Sequence, residues 1–279
     1  MVGITGGPGS DVALSWAAHQ AALAGRPLKV VHAHLGPHPG IWADSMISPE
    51  DWSAPLLEAG ELLAAAVDAV QLWEPDVRVS ARSELGTPAS LLLAQAETAA
   101  MVVLGNDSAG TVVDRLGLTV CGTVAGQAPC PVVTVTAQPA WPDAPIAVGL
   151  DAGGAAMQAM EFAFELAARR EVEVQLHHVC PREDVDPDRW AYDLLHSPAV
   201  STCAARYPGV QMAVTVSFGD PVERLAEACA EAQLLVVGSR GHGPLARLVT
   251  GSVSHALLRR TPGQVAVVRR GCRLRTGVR

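Results

Sequence analysis

The chain has 279 residues and a single lysine, Lys29. Schiff-base chemistry and a P-loop both need a lysine in a defined setting. Lys29 lies in a strand-like run and follows no glycine loop, so a Walker A motif is excluded. No G-x-S-x-G elbow occurs, and no Ser/His/Asp or Cys/His set stands out, so no residue is assigned a catalytic role. The six cysteines have no C-x-x-C spacing, which argues against a disulfide frame and for small buried apolar residues or unbridged thiols. Positive charge is scarce. The net charge of −8 excludes a chain whose main business is coating nucleic acid. Met1 is followed by Val2-Gly3-Ile4 with no basic leader, and the longest uncharged run, 116–142, contains Pro129, Pro131 and Pro139. Neither a secretory signal nor a membrane helix is expected, and a soluble cytoplasmic protein is the simple reading. What is abundant is apolar surface: 49% of the residues are hydrophobic, enough to build real cores.

The chain repeats itself. Val2-Gly3-Ile4-Thr5 resembles Val148-Gly149-Leu150-Asp151, and Val30-Val31-His32-Ala33 resembles Leu176-His177-His178-Val179, both at an offset of 146. Leu85-Gly86-Thr87-Pro88 matches Phe218-Gly219-Asp220-Pro221 at an offset of 133, as do Met101–Gly105 with Leu234–Gly238 and Pro129–Val135 with Pro262–Val268. Two copies of one domain, the first carrying thirteen extra residues in its middle, explain both offsets. Residues 1–138 form the first domain, 139–145 a proline-rich linker, and 146–279 the second domain.

Each copy alternates strand and helix signals. In the second, Ile146–Leu150 reads as a strand, Ala155–Arg170 as a helix, Val172–Val179 as a strand and Trp190–Tyr207 as helical. Val210–Ser217 is a further strand. Asp220, Pro221 and Glu223 fit an N-cap, first-turn proline and capping box, with Leu225, Ala228, Cys229 and Ala232 on one face of the helix. Leu234–Val237 is wholly apolar, as strands buried on both faces are. A helix over Ser252–Arg260 and a strand over Gln264–Val268 close the copy. This order predicts two tandem, doubly wound α/β domains, Rossmann-like, each a five-stranded parallel sheet with helices on both faces. Ligands belong at the carboxyl ends of the strands.

The sharpest local feature follows the apolar strand: Gly238-Ser239-Arg240-Gly241-His242-Gly243, and then Gly251-Ser252. Three glycines in six residues let backbone amides approach a ligand, and Gly251-Ser252 opens a helix whose free N–H groups favour an anion. Ser252 adds a hydroxyl, and Arg240, His242 and Arg247 add charge. A phosphate cradle and a simple tight turn both satisfy the glycines taken alone.

The full spacing, Gly238-x2-Gly241-x9-Gly251-Ser252, resembles the nucleotide motif of ATP-binding universal stress proteins. Ala147-Val148-Gly149-Leu150-Asp151 resembles that family's first strand, and His178-Val179 the end of its second. The likeness covers the whole chain as a tandem pair of the actinobacterial kind. It implies ATP as ligand, with Mg²⁺ as companion ion and no protein-held metal. Asp151 would hold the ribose or adenine side, Gly149 would pass close beneath, and Val179 would offer backbone groups to adenine. Gly238, Ser239, Arg240, Gly241, His242 and Gly243 would wrap the phosphates and ribose, while Gly251, Ser252 and Val253 would hold the phosphate tail. The family further implies a regulator of stress or dormancy that acts through an unidentified protein partner. Its two domains would pair within the chain, and homodimers are a further form of assembly. A slow ATPase or phosphotransferase and a nucleotide-free scaffold are the rival readings.

The first copy departs from the motif. Thr5 stands for Asp151, Ser108 for the second glycine, and Leu118-Thr119 for Gly251-Ser252. Asp107 and Asp114 replace Arg240 and Arg247. Weak or absent ATP binding is expected there, since these acids repel phosphate. Other signals have ordinary readings. His32-x-His34-x3-His38 is weak as a metal site, 36–50 reads as a surface loop, the terminal arginines as a solvated tail, and the six tryptophans as packing residues.

Overall fold

A computed structural model describes residues 1–34, 53–106, 120–136, 143–150, 155–180, 186–239 and 253–274. The first half runs β1 (Val2–Gly3), α1 (Pro8–Leu23), β2 (Leu28–His34), α2 (Ser53–Trp73), β3 (Val79–Leu85), α3 (Pro88–Ala96), β4 (Val102–Gly105), α4 (Val120–Gln127) and β5 (Val132–Val135). The second runs β6 (Ile146–Leu150), α5 (Ala155–Arg170), β7 (Val174–Cys180), α6 (Pro187–Leu195), α7 (Pro198–Arg206), β8 (Met212–Phe218), α8 (Pro221–Glu231), β9 (Leu234–Ser239), α9 (Val253–Arg260) and β10 (Val265–Arg269). The duplication is visible strand by strand: β2 shifted by 146 is β7, and β3 shifted by 133 is β8.

Each half is a five-stranded parallel sheet, in the orders β3-β2-β1-β4-β5 and β8-β7-β6-β9-β10. The reversal of strand order beside β1 and beside β6 opens a crevice at the carboxyl ends of β1/β4 and of β6/β9. In the first half α1 packs with α2 and α3 with α4; α5 with α7 and α8 with α9 repeat the arrangement in the second. The central strands are apolar because both faces are covered: Val102, Leu234, Leu235 and Val236 are fully buried. Several helix starts are set by side-chain caps. Thr87 accepts from the Ser90 amide, and at the equivalent place Asp220 Oδ1 accepts from Val222 (2.8 Å) and Glu223 (3.1 Å).

The two sheets fuse into one of ten strands, because β5 and β10 pair antiparallel, with Val133 opposite Ala266. Polar groups bind this seam. Thr134 Oγ1 donates to the Val265 carbonyl at 3.3 Å, and Arg269 Nη1 donates to the Gln127 and Ala128 carbonyls at 2.7 and 3.2 Å. Asn106 Nδ2 donates to the Leu258 carbonyl at 2.8 Å.

The single helix expected over Trp190–Tyr207 is two. Pro198 has no N–H to continue a helix, and Ser197 Oγ caps the second one by accepting from the Val200 amide. Two arginines of the expected solvated tail are engaged, Arg269 at the seam and Arg273 with the Glu97 carboxylate; 275–279 lie outside the described residues. All six cysteines are buried and none forms a disulfide; burial pushes the Cys229 and Cys272 thiols up to about 12.

Candidate functional site

β6 and β9 lie side by side, so their carboxyl ends bring Gly149 beside Val237 and the following Gly238 and Ser239. Gly149 is bare for a packing reason. A Cβ there would meet Leu225 Cδ1 at 2.9 Å and Val237 Cγ1 at 3.2 Å, so α8 seats directly on β6. Gly238 and Ser239 pair with Val268 and Arg269 of β10, and the Arg270 amide donates to the Ser239 carbonyl at 2.9 Å. Val253 is the first residue of α9, whose amino end carries the positive end of the helix dipole. Asp151, Arg240, Gly241, His242, Gly243, Gly251 and Ser252 lie outside the described residues.

The third wall comes from β7. His178 is opposite Leu150 in the ladder, and His178 Nδ1 is 3.3 Å from the Leu150 carbonyl, a bond in which the ring N–H donates. Its ring stacks on Trp190 of α6, with centroids 4.8 Å apart and planes 9° from parallel. Val179 follows, opposite Ser217, and is half-buried. Like Trp73, which is 45% exposed, Trp190 is a correction to the packing role read for the tryptophans: it is 41% exposed. Nothing in its spacing announced this, because the partner His178 sits on a different element.

The first half has the same frame. His32 Nδ1 bonds the Ile4 carbonyl at 3.0 Å, repeating the His178–Leu150 tie at the 146 offset. Thr5, the counterpart of Asp151, is tied up: its amide donates to Ser10 Oγ at 2.8 Å, and the two hydroxyls are 2.9 Å apart. Gly105, the counterpart of Gly238, lies against backbone, and a Cβ on it would run into the Gly9 carbonyl. The first turn of α1 therefore packs onto the end of β4. His34 Nδ1 pairs with Ser83 Oγ at 2.8 Å, so two of the three histidines weighed as metal ligands are otherwise bonded; His38 lies outside the described residues. No cluster of three or more metal-ligating side chains forms among the described residues. Among them, too, no helix is long and apolar enough to cross a membrane.

A family model described as the universal stress protein family matches residues 1–136 and again 144–269. The chain is 32% identical to universal stress protein Rv2005c of Mycobacterium tuberculosis, over 96% of both chains. It is 31% identical to universal stress protein Rv2623 of the same organism, over 95% of both. The crystal structure of a universal stress protein from Archaeoglobus fulgidus matches with a TM-score of 0.74 at 19% identity, covering 97% of this chain and 96% of that one, which shows a common fold. Two successive matches to one model, and full-length relatives sharing its name, place this chain in the universal stress protein family, with two of the family's domains in tandem.

Proposed function

We propose that the second half binds ATP, carried with Mg²⁺, and that its occupancy regulates the protein's association with a protein partner in the cytoplasm. One observation carries this reading: on a frame shared by duplication, the two halves carry different residues at the ends of their strands. The first crevice is closed by the Thr5–Ser10 hydroxyl pair and by the Gly9 backbone on Gly105. The second presents Gly149 and Gly238 on adjoining strands, the sequence Gly238-x2-Gly241-x9-Gly251-Ser252, and the start of α9.

Asp151 takes the ribose or adenine side, and backbone groups of Val179 meet the adenine edge. Ser239, Arg240, Gly241, His242 and Gly243 surround the phosphates. The amides of Gly251, Ser252 and Val253 face the phosphate tail, where a helix N-terminus favours anions. Arg240 and His242 add charge that Asp107 and the segment around Ser108 lack in the first half. For occupancy to regulate, ATP must favour one conformation or assembly over another.

Thermal unfolding with and without Mg-ATP tests the site, on wild type and on Gly251→Leu, which copies Leu118 of the first half. Ligand at about a hundred times its Kd stabilises by roughly 2.7 kcal/mol. The wild type should shift upward and the variant should not. No shift in wild type removes the ATP reading and leaves a nucleotide-free scaffold. ADP release faster than that of Asp151→Asn would make the protein an enzyme.

A further inference from the structure

The duplication also exposes an asymmetry at the opposite end of the sheet. Arg170, the last residue of α5, crosses into the first half. Its Nη2 donates to Gln20 Oε1 at 2.7 Å, its Nη1 donates to Gln233 Oε1 at 2.7 Å, and its guanidinium lies over the Trp16 ring. Shifted by the repeat offsets, Arg170, Trp16, Gln20 and Gln233 become Ala24, Phe162, Leu166 and Ala100. All four of these line a small void of about 40 Å³. Where the second half inserts a guanidinium, the first half has a methyl group.

That void shares Gln20, Ala24, Arg26, Ala100 and Met101 with a neighbouring pocket of about 260 Å³ at the amino ends of β1, β2 and β4. Ala21, Leu28 and Val103 give this pocket apolar walls, and Lys29, Gln95 and Thr98 give it a polar side. Lys29 is half-buried, and its Nζ donates to the neutral Gln95 Oε1 at 3.1 Å. No carboxylate pairs with it among the described residues. Glu84, beyond Gln95, is held by Arg82 and accepts from Gln95 Nε2 at 3.3 Å. An ammonium has three donors, so Lys29 keeps capacity for an anion.

We propose that this pocket binds a small carboxylate with a short apolar tail, the carboxylate on Lys29 and the tail running toward Ala24 into the space that Arg170 fills in the other half. An apolar cavity of about 150 Å³ holds a six-carbon ring, so the larger pocket suits roughly ten non-hydrogen atoms. The site is separate from the nucleotide crevice, which lies at the carboxyl ends of the strands, and it stands whether or not ATP binds there.

Octanoate is the probe, titrated calorimetrically into the full chain, with Lys29→Met and Ala24→Arg as variants. One saturable site per chain is expected, weakened at least tenfold in Lys29→Met and lost in Ala24→Arg. Because Lys29 is the only lysine, acetylation followed by mass spectrometry gives a second readout: octanoate should protect Lys29 in wild type. If Ala24→Arg fails to fold, Lys29→Met and the protection assay decide. No saturable heat in wild type, equal affinity in both variants, or unprotected Lys29 at saturation would overturn the proposal.

Discussion

The Arg170 guanidinium lies over the Trp16 ring, 5.2 Å from its centroid, across the boundary between the two halves. Burial lowers its pKa to about 10, still charged at neutral pH, and two glutamine oxygens take the place of a carboxylate. Replacing it by methionine keeps much of the stem but strands both oxygens. Arg170→Met should cost about 2 kcal/mol, the range for hydrogen bonds to a charged group. Arg170→Lys should recover little, since an ammonium cannot reproduce the fork. Urea denaturation checks both, and an unchanged midpoint in Arg170→Met would show that the cluster contributes nothing.

Two glycines at the crevice ends of their strands should respond differently to one added methyl group. At Gly105 the obstacle is Gly9 backbone, which cannot rotate away, so Gly105→Ala should destabilise by about 3 kcal/mol. At Gly149 the obstacles are methyls of Leu225 and Val237, which can shift, so Gly149→Ala should cost about 1 kcal/mol. Equal losses in the two variants would contradict this account.

His177 gives the fold an acid-sensitive point. Burial holds its imidazole below the ordinary value of 6.5, against a lesser upward pull from Glu231, and Nε2 is buried with no partner among the described residues. The unfolded chain takes up a proton near 6.5 that the folded chain refuses. Stability is therefore full above that pH, falls as pH drops below it, and levels off once the folded imidazole protonates. His177→Gln should flatten this limb of the stability–pH curve, as followed by denaturation between about pH 7 and 5. A limb of unchanged slope would assign the effect to other groups.

Trp190 should report the crevice. It stacks on His178, which is tied to the Leu150 carbonyl next to Asp151. Mg-ATP should change the tryptophan emission of wild type, and the change should be largely absent in Trp190→Phe. An identical response in that variant would place the reporting ring elsewhere.

The strands were legible because a buried parallel strand is an uninterrupted apolar run, and duplication gave each run a second witness. Ile146–Leu150 and Ala155–Arg170 fall at their expected bounds. The break at Ser197-Pro198 was also written in residue chemistry, as a cap followed by a proline, but helix-compatible residues on both sides hid it. The antiparallel seam was not legible. β5 and β10 are buried strands, apolar at every buried position but Thr134, and such a strand does not state which edge it will meet. Arg170 was equally silent, since an arginine in the last turn of a helix reads as a solvated charge until tertiary contacts bring Trp16 beneath it. In the candidate site, the glycine spacing was readable in one dimension, whereas the closure of the first crevice by Ser10 and Gly9 depends on how the first turn of α1 packs back on its own sheet.

The seam has a consequence for biosynthesis. β5 is the open edge of the first sheet until β10 reaches it, and the partners Thr134 and Val265 are 131 residues apart. At about 5–20 residues per second, a nascent chain carries that apolar edge unpaired for on the order of ten seconds. An exposed edge of this kind invites pairing with other chains. Ribosome stalling within the second half therefore leaves a finished but adhesive first half, and it is β10 that renders the first domain safe to release.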